Sequence, residues 1–294
     1  MNNILVTGAN GQLGSEIRAL STNYPRNNFM FTDFSQLDIT NHSDVKNFIE
    51  AHNTTVIINC AAYTAVDKAE SDEVKANEIN NLAVQNMAEI AKKKNVKLIH
   101  ISTDYVFDGN GHQPYQEDDL PNPQNVYGKT KLEGEQAMQM INPDKSIIIR
   151  TSWVYSSFGA NFVKTMLRLG KERDQLGIIA DQIGSPTYAR DLAATILNIL
   201  PKLENKNVEV YHFSNEGVCS WYDFAKAIFE LEKTLIKVNP IETIDYPTPA
   251  TRPFYSIMNK RKIKDTFELD IPYWKESLQS CLQHMHELIL DKSK

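Results

Sequence analysis

Over the first half of the chain, apolar residues follow two alternating rhythms. Short unbroken runs end in polar residues or glycine: "NILVTG" from residue 3, "NFMFTD" from 28, "TVIINCAA" from 55, "KLIHIST" from 97 and "SIIIRTSWVY" from 146. Each reads as a strand buried on both faces. Between them, apolar residues recur every three or four positions in "QLGSEIRALS", in "HSDVKNFIEAH" with Ser43 as its cap, in "EVKANEINNLAVQNMAEIAKKKN" and in a segment opening at Tyr127. These read as amphipathic helices. Strands alternating with helices imply a parallel sheet covered on both faces, a doubly wound α/β fold.

From about residue 155 the rhythm loosens. Helical patterns recur at "NFVKTMLRLGKE", "ARDLAATILNIL", "WYDFAKAIFELEK" and "WKESLQSCLQHMHELIL", the strands between them shorten, and prolines cluster in "YPTPATRP". The pattern predicts a first domain over 1–154 and a smaller, mixed substrate lobe over 155–294, with 186–215 returning to the first domain.

"GANGQLG" sets Gly8, Gly11 and Gly14 between the first predicted strand and the first predicted helix. Glycines there allow a tight turn and close backbone approach, while the helix N-terminus offers unpaired N–H groups to a pyrophosphate. That context marks a dinucleotide-binding Rossmann domain. The spacing G-x-x-G-x-x-G points toward the short-chain dehydrogenase/reductase superfamily. Asp33 closes the second strand about twenty residues beyond, where a carboxylate can accept from the adenosine ribose hydroxyls and disfavour a 2′-phosphate. The expectation is NADH or NADPH, with NADH slightly favoured; Arg18 or Arg26 could reach the same edge.

Two Tyr-x-x-x-Lys pairs occur, Tyr127 with Lys131 and Tyr222 with Lys226. The first follows "STDYVFDG", which puts Thr103 and Asp104 at the carboxyl end of the fourth strand, where doubly wound sheets hold ligands. Tyr222 sits between Trp221 and Phe224, and its pair reads as packing plus a solvated amine. Reducing a ketone leaves an alkoxide that needs a proton, and a free tyrosine of pKa about 10 is a sluggish donor. An ammonium beside Tyr127 favours the phenolate; three units of depression correspond to about 4 kcal/mol. Lys131 can supply part of this, and Thr103 can donate to the developing oxyanion.

Composition narrows the function classes. The chain has 294 residues, 41% of them hydrophobic and 23% charged, enough for a large core and a smaller lobe. A formal net charge of -6 argues against a nucleic-acid partner. There is no signal-peptide pattern and no long apolar run, so no membrane association is expected. Three widely spaced cysteines, Cys60, Cys219 and Cys281, suit a reduced cytoplasmic protein. His284 and His286 are two apart on a helix and point to different faces, unlike a metal pair.

With "CAAYTAVDKAE", "NVYGKTKLEGE", "RTSWVY", "NFVKTMLRL" and "DQIGSPT" added to the motifs above, the chain resembles the dTDP-4-dehydrorhamnose reductase family of extended short-chain dehydrogenases/reductases, over residues 2 to about 260. The resemblance implies NAD(P)H-dependent reduction of the C4 ketone of a dTDP-4-dehydro-6-deoxy sugar, giving dTDP-L-rhamnose as the last step of its biosynthesis. It implies coenzyme contacts at Asn10, Gly11, Gln12, Leu13, Asp33, Asp38, Ile39, Ala61, Ala62, Tyr63, Tyr127 and Lys131. It places Thr103 and Asp104 against the sugar and Trp153 beside it. Catalysis would fall to Thr103, Tyr127 and Lys131. Tyr63 replaces a histidine common in the family, and Tyr255 an asparagine. Arg252 is a candidate partner for an anionic substrate. A homodimer is common in the family. Some members bind Mg²⁺ through acidic residues, and Glu16 and Asp191 stand in comparable places, but no metal is predicted. A 4,6-dehydratase of the same superfamily would want Thr-Asp-Glu where this chain has Thr103-Asp104-Tyr105. The alternative of another class is a non-catalytic nicotinamide-binding subunit, similar to the regulatory subunit of methionine adenosyltransferase.

Overall fold

The structure, a computed structural model, describes residues 2–292. Five strands open the chain: β1 (Asn3–Thr7), β2 (Asn28–Phe31), β3 (Val56–Asn59), β4 (Lys97–Thr103) and β5 (Ile147–Thr151). Then come β6 (Val154–Tyr155), β7 (Gln175–Ile179), β8 (Ile183–Gly184), β9 (Thr187–Tyr188) and β10 (Glu209–Phe213), of which β6, β8 and β9 have only two residues each. The main sheet has the order β10-β5-β4-β3-β1-β2 and is parallel throughout. The order reverses beside β1, so ligands are expected beyond the carboxyl ends of β1, β3 and β4.

The helices are α1 (Gln12–Leu20), α2 (His42–Ala51), α3 (Val66–Ala69), α4 (Glu73–Asn77), α5 (Ala83–Lys94), α6 (Val126–Ile141), α7 (Phe162–Glu172), α8 (Ala189–Ile199), α9 (Trp221–Leu231), α10 (Arg261–Phe267) and α11 (Trp274–Lys292). Alternate strand residues point to opposite faces, so each strand feeds two cores. Ile4, Val6, Ile58 and Ile149 pack with Ile17 of α1, Ile196 of α8 and Ile263 of α10. Leu5, Ile57, Leu98 and Ile148 pack with Val45 of α2, Met87 of α5 and Met138 of α6. Each such side chain contributes about 1.5–3 kcal/mol by leaving water, which explains why the runs contain almost no polar residue.

The second lobe has its own core, where Val163 of α7, Phe224 and Ile228 of α9, and Leu278 and Cys281 of α11 meet. Two strands complete it: β11 (Cys219–Ser220) pairs antiparallel with β8, and β12 (Lys237–Ile241) pairs parallel with β7. No helix among the described residues is long and apolar enough to cross a membrane.

Four local expectations change. β2, paired only with β1 at the sheet edge, is half-buried rather than covered on both faces. Asn41, rather than Ser43, caps α2, accepting from the N–H groups of Ser43 and Asp44. The long helix expected before β4 is interrupted by a π turn at Glu78–Leu82. There Asn80 turns inward, accepting from the Tyr63 N–H at 2.9 Å and donating to the Thr130 hydroxyl at 3.2 Å. Gly134 of α6 packs on this turn, where a Cβ would collide with the Asn80 carbonyl oxygen. The run "SIIIRTSWVY" breaks between β5 and β6 because Trp153 adopts a left-handed backbone, φ +49°.

Candidate active site

A cavity of about 940 Å³ opens where the carboxyl ends of β1, β3, β4 and β5 meet the second lobe. At one end lies the glycine turn. Gly8 has φ +62°, and a Cβ there would lie 2.7 Å from the Ala61 nitrogen; a Cβ on Gly14 would lie 2.5 Å from the Gly8 carbonyl oxygen. Gly11 precedes α1 with no side-chain cap, so the first helical N–H groups are free for an anion. The residues present therefore fit the diphosphate of a dinucleotide, in a cradle that side chains would fill.

Beyond the turn, Asp33 accepts from the Phe34 N–H at 2.7 Å and the Asn10 N–H at 3.3 Å. Arg18 lies at the same edge, its guanidinium 5.0 Å from the centre of the Phe31 ring and 3.5 Å from Asn10 Oδ1. Asp38 is held by the Thr40 N–H and hydroxyl, at 2.9 and 2.7 Å.

At the other end, α6 begins at Asn125, whose side chain accepts from the Gly128 N–H at 2.8 Å and donates to the Thr251 carbonyl at 2.8 Å. One cap thus fixes the helix start and ties it to the proline-rich loop. Tyr127 lies in the first turn, its ring edge-on to Tyr105 at 5.5 Å. The Thr103 hydroxyl donates to Asp104 Oδ1 at 3.0 Å. Asp104 Oδ2 is buried and unpaired, the nearby Ser256 hydroxyl donating instead to the Ile183 carbonyl at 3.4 Å. Burial pushes the Asp104 carboxyl up to about 7, against the pull of the Thr103 hydroxyl.

Tyr127 differs from expectation. Burial pushes its phenol up to about 12, with Thr103 favouring the phenolate and the Asp104 charge opposing it. Lys131 does not offset this, because its Nζ donates to the Ile101 carbonyl at 2.6 Å and meets His100 Nε2 at 3.1 Å. Burial holds Lys131 down to about 8, while the Glu135 charge raises it.

The substrate side is aromatic. Trp153 stacks on Trp221 with ring centres 3.6 Å apart. Arg252 pairs with Asp67 at 2.7 Å at the rim. Gln12 links the phosphate turn to the second lobe, donating to the Val154 carbonyl at 3.3 Å and accepting from Asn161 at 3.0 Å.

Gly8, Gly11, Gln12, Leu13, Asp33, Asp38, Ile39, Ala61, Ala62, Thr103, Asp104, Tyr127, Lys131 and Trp153 all line this one cavity. Asn10, Gly14 and Tyr63 lie outside the lining: Gly14 lets α1 pack on the Gly8–Ala9 backbone of the turn, and the Tyr63 hydroxyl donates to Asp72 at 3.0 Å. Tyr222 packs against the second lobe's core, and Lys226 is exposed. Glu16 is buried and accepts from Ser156, Ser157 and Arg190, whereas Asp191 accepts from Asn215 and Ser277. Trp221 and His100 were not singled out from sequence. Trp221 reads there as core, and His100 is one polar letter in an apolar strand.

A family model described as "RmlD substrate binding domain" matches residues 1–287. A dTDP-4-dehydrorhamnose reductase of Aggregatibacter actinomycetemcomitans is 45% identical over 289 residues, covering 95% of this chain and 98% of the relative. Among solved structures, a dTDP-4-dehydrorhamnose reductase of Clostridium acetobutylicum superposes with TM-score 0.91 at 43% identity, covering 97% of this chain and 99% of that one. Its counterpart from Bacillus anthracis, in complex with NADP, gives TM-score 0.92 at 40% identity over 96% and 99%. A dTDP-glucose 4,6-dehydratase from B. anthracis shares the fold, with TM-score 0.81 at 18% identity over 98% and 97%.

Proposed function

This chain belongs to the dTDP-4-dehydrorhamnose reductase family and reduces the C4 ketone of dTDP-4-dehydrorhamnose to dTDP-L-rhamnose with a nicotinamide coenzyme; we propose that Tyr127 gives the proton to that oxygen. The observation that carries the assignment of roles is the convergence of Thr103, Tyr127 and Lys131 on the cavity whose far end is the glycine turn. The coenzyme supplies the hydride. The Tyr127 hydroxyl donates to the ketone oxygen, where negative charge grows in the transition state, and Thr103 joins it once its single hydroxyl proton turns from Asp104 Oδ1. Lys131, when protonated, stabilises the phenolate that Tyr127 becomes. Asp104, close to half protonated near pH 7, offers a buried oxygen or hydroxyl to a sugar hydroxyl. The Trp153–Trp221 stack excludes water from one side and gives the sugar nucleotide an apolar wall.

On the coenzyme, Asp33 favours the free ribose hydroxyls of NADH, while Arg18 at the same edge offers a cation to a 2′-phosphate. Both coenzymes should serve, NADH slightly better. Asp33→Asn should move the kcat/KM ratio toward NADPH by about tenfold, roughly 1.4 kcal/mol; an unchanged ratio would remove Asp33 from the choice.

The experiment that tests the whole reading is coenzyme oxidation by the purified chain, with the 4-keto sugar nucleotide generated in place from dTDP-glucose by a dehydratase and an epimerase. Turnover dependent on every component is expected. Coenzyme binding without turnover would refute the reductase assignment.

A further inference from the structure

Behind the catalytic pair, a file of buried polar groups runs inward from Lys131. His100, fully buried on β4, presents Nε2 to Lys131 Nζ at 3.1 Å and Nδ1 to the Asn59 side-chain nitrogen at 3.1 Å. Asn59, at the end of β3, accepts at Oδ1 from the Thr7 hydroxyl at 2.7 Å and from the Ala61 N–H at 3.2 Å. A hydroxyl can reverse its role, but a backbone N–H only donates. Ala61 therefore decides which end of the Asn59 amide is oxygen, and the NH₂ end must face His100. Nδ1 then accepts, and a neutral imidazole that accepts at Nδ1 carries its proton on Nε2.

That N–H points at Lys131. An ammonium would meet it donor to donor, whereas an amine presents a lone pair to His100 and keeps an N–H for the Ile101 carbonyl. We propose that His100 is a positioning residue for the reduction: Asn59 locks it as the Nε2–H tautomer, and this N–H favours the amine form of Lys131 over the ammonium. The significance for turnover rests on the reductase reading, but the proton arrangement itself does not.

The surroundings agree. Burial by itself holds His100 below the usual imidazole range, and any charge on Lys131 would act in the same direction, so it stays neutral. The titratable groups that act on the amine are His100 from β4 and Glu135 on α6, while Tyr127 of α6, Asp104 after β4 and Cys60 after β3 line the same cavity. Glu135 favours the ammonium, but its carboxylate is bound by Arg150 of β5 at 2.7 Å. The Cys60 thiol is pushed up to about 12 by burial and stays neutral. His100 thus sets the pH above which the reductase loses the cation that stabilises its phenolate, which places an alkaline limb in kcat/KM.

The test is nitrogen NMR of coenzyme-free protein labelled with ¹⁵N-histidine, the His100 signals being assigned by their loss in His100→Gln. The expected spectrum has a pyridine-type Nδ1 and a pyrrole-type Nε2 that persist from mildly acid to mildly alkaline pH. In parallel, the Lys131 titration is followed by its ¹³Cε shift, assigned with Lys131→Met. His100→Leu should raise the midpoint by about one pH unit, the size of one net hydrogen bond. His100→Gln, which can offer its oxygen to Asn59 and its NH₂ to Lys131, should keep the midpoint. Asn59→Asp presents an acceptor to Nδ1, so it should reverse the tautomer and raise the midpoint too. A pyrrole-type Nδ1 or an imidazolium in the wild-type spectrum overturns the proposal, as does a midpoint unmoved in His100→Leu. The wild-type spectrum alone decides the tautomer even where the leucine variant does not fold. Neither readout needs turnover, so both judge His100 independently of the reductase assignment.

Discussion

Asp104 should make the coenzyme-free protein lose stability as pH rises, and Asp104→Asn should abolish that loss. The carboxyl is buried, one oxygen holds Thr103, the other has no donor, and its midpoint stands at about 7. In the unfolded chain an aspartate titrates near ~3.9, so between those values the folded state binds more protons and stability falls with pH. The penalty grows from about 1.5 kcal/mol at pH ~5 to about 4 kcal/mol at pH ~8, relative to the protonated carboxyl. The wild type should thus lose about 2–3 kcal/mol more than Asp104→Asn between those two pH values. Lys131 and Tyr127 titrate in both proteins and largely cancel. The assay is urea unfolding of both at each pH, with m compared so that only changes in midpoint are read as stability. A double difference below about 0.5 kcal/mol would refute the reasoning, because the carboxyl could then not be desolvated as the structure has it. Turnover should fall in the same variant, since an amide cannot alternate between donating and accepting at one oxygen; a site that costs stability for function is the expected pattern.

Tyr127→Phe should lower kcat at least a hundredfold with coenzyme affinity largely kept, read by steady-state kinetics beside a coenzyme fluorescence titration; near-normal turnover would remove Tyr127 from the chemistry. Gly8→Ala forces a side chain into a left-handed backbone 2.7 Å from the Ala61 nitrogen, so it should cost about 1–3 kcal/mol of stability and weaken coenzyme binding about tenfold. Unchanged coenzyme affinity in Gly8→Ala would separate the turn from the binding site. Glu135→Leu strips the buried Arg150 of three hydrogen bonds, from Nε and Nη2, and should cost about 3–5 kcal/mol in urea unfolding. Adding Arg150→Met should recover most of it, and a Glu135→Leu penalty below about 1 kcal/mol would mean that the pair is hydrated.

β1, β3, β4 and β5 were legible in the sequence because a strand buried on both faces must be apolar at consecutive positions, as "VIIN" and "III" are, whereas β2, read from a similar apolar run, is a half-buried edge strand. The glycine turn was legible for a related reason: Gly8 and Gly14 sit where backbone meets backbone, and that demand falls on single residues close in sequence. The order of Thr103, Tyr127 and Lys131 was legible too, since each lies at a strand end or in the first turns of a helix that begins there.

What the sequence could not carry came from contacts between distant segments. The π turn at Glu78–Leu82 exists because Asn80 serves Tyr63 and Thr130 at once. Trp221 reads as core until Trp153, in a left-handed backbone, is stacked upon it. His100 is a lone polar letter in β4 until strand order sets it between Asn59 and Lys131, and the same burial that raises Tyr127 and Asp104 exists only once both lobes close over them. The sequence by itself determined the elements, their α/β class and the types of residue that could do the chemistry, because periodicity and turn sterics act within a few positions. Only the tertiary structure decided the protonation of those residues, because desolvation and hydrogen-bond partnership depend on neighbours that the chain brings together from β1, β3, β4, α6 and the second lobe.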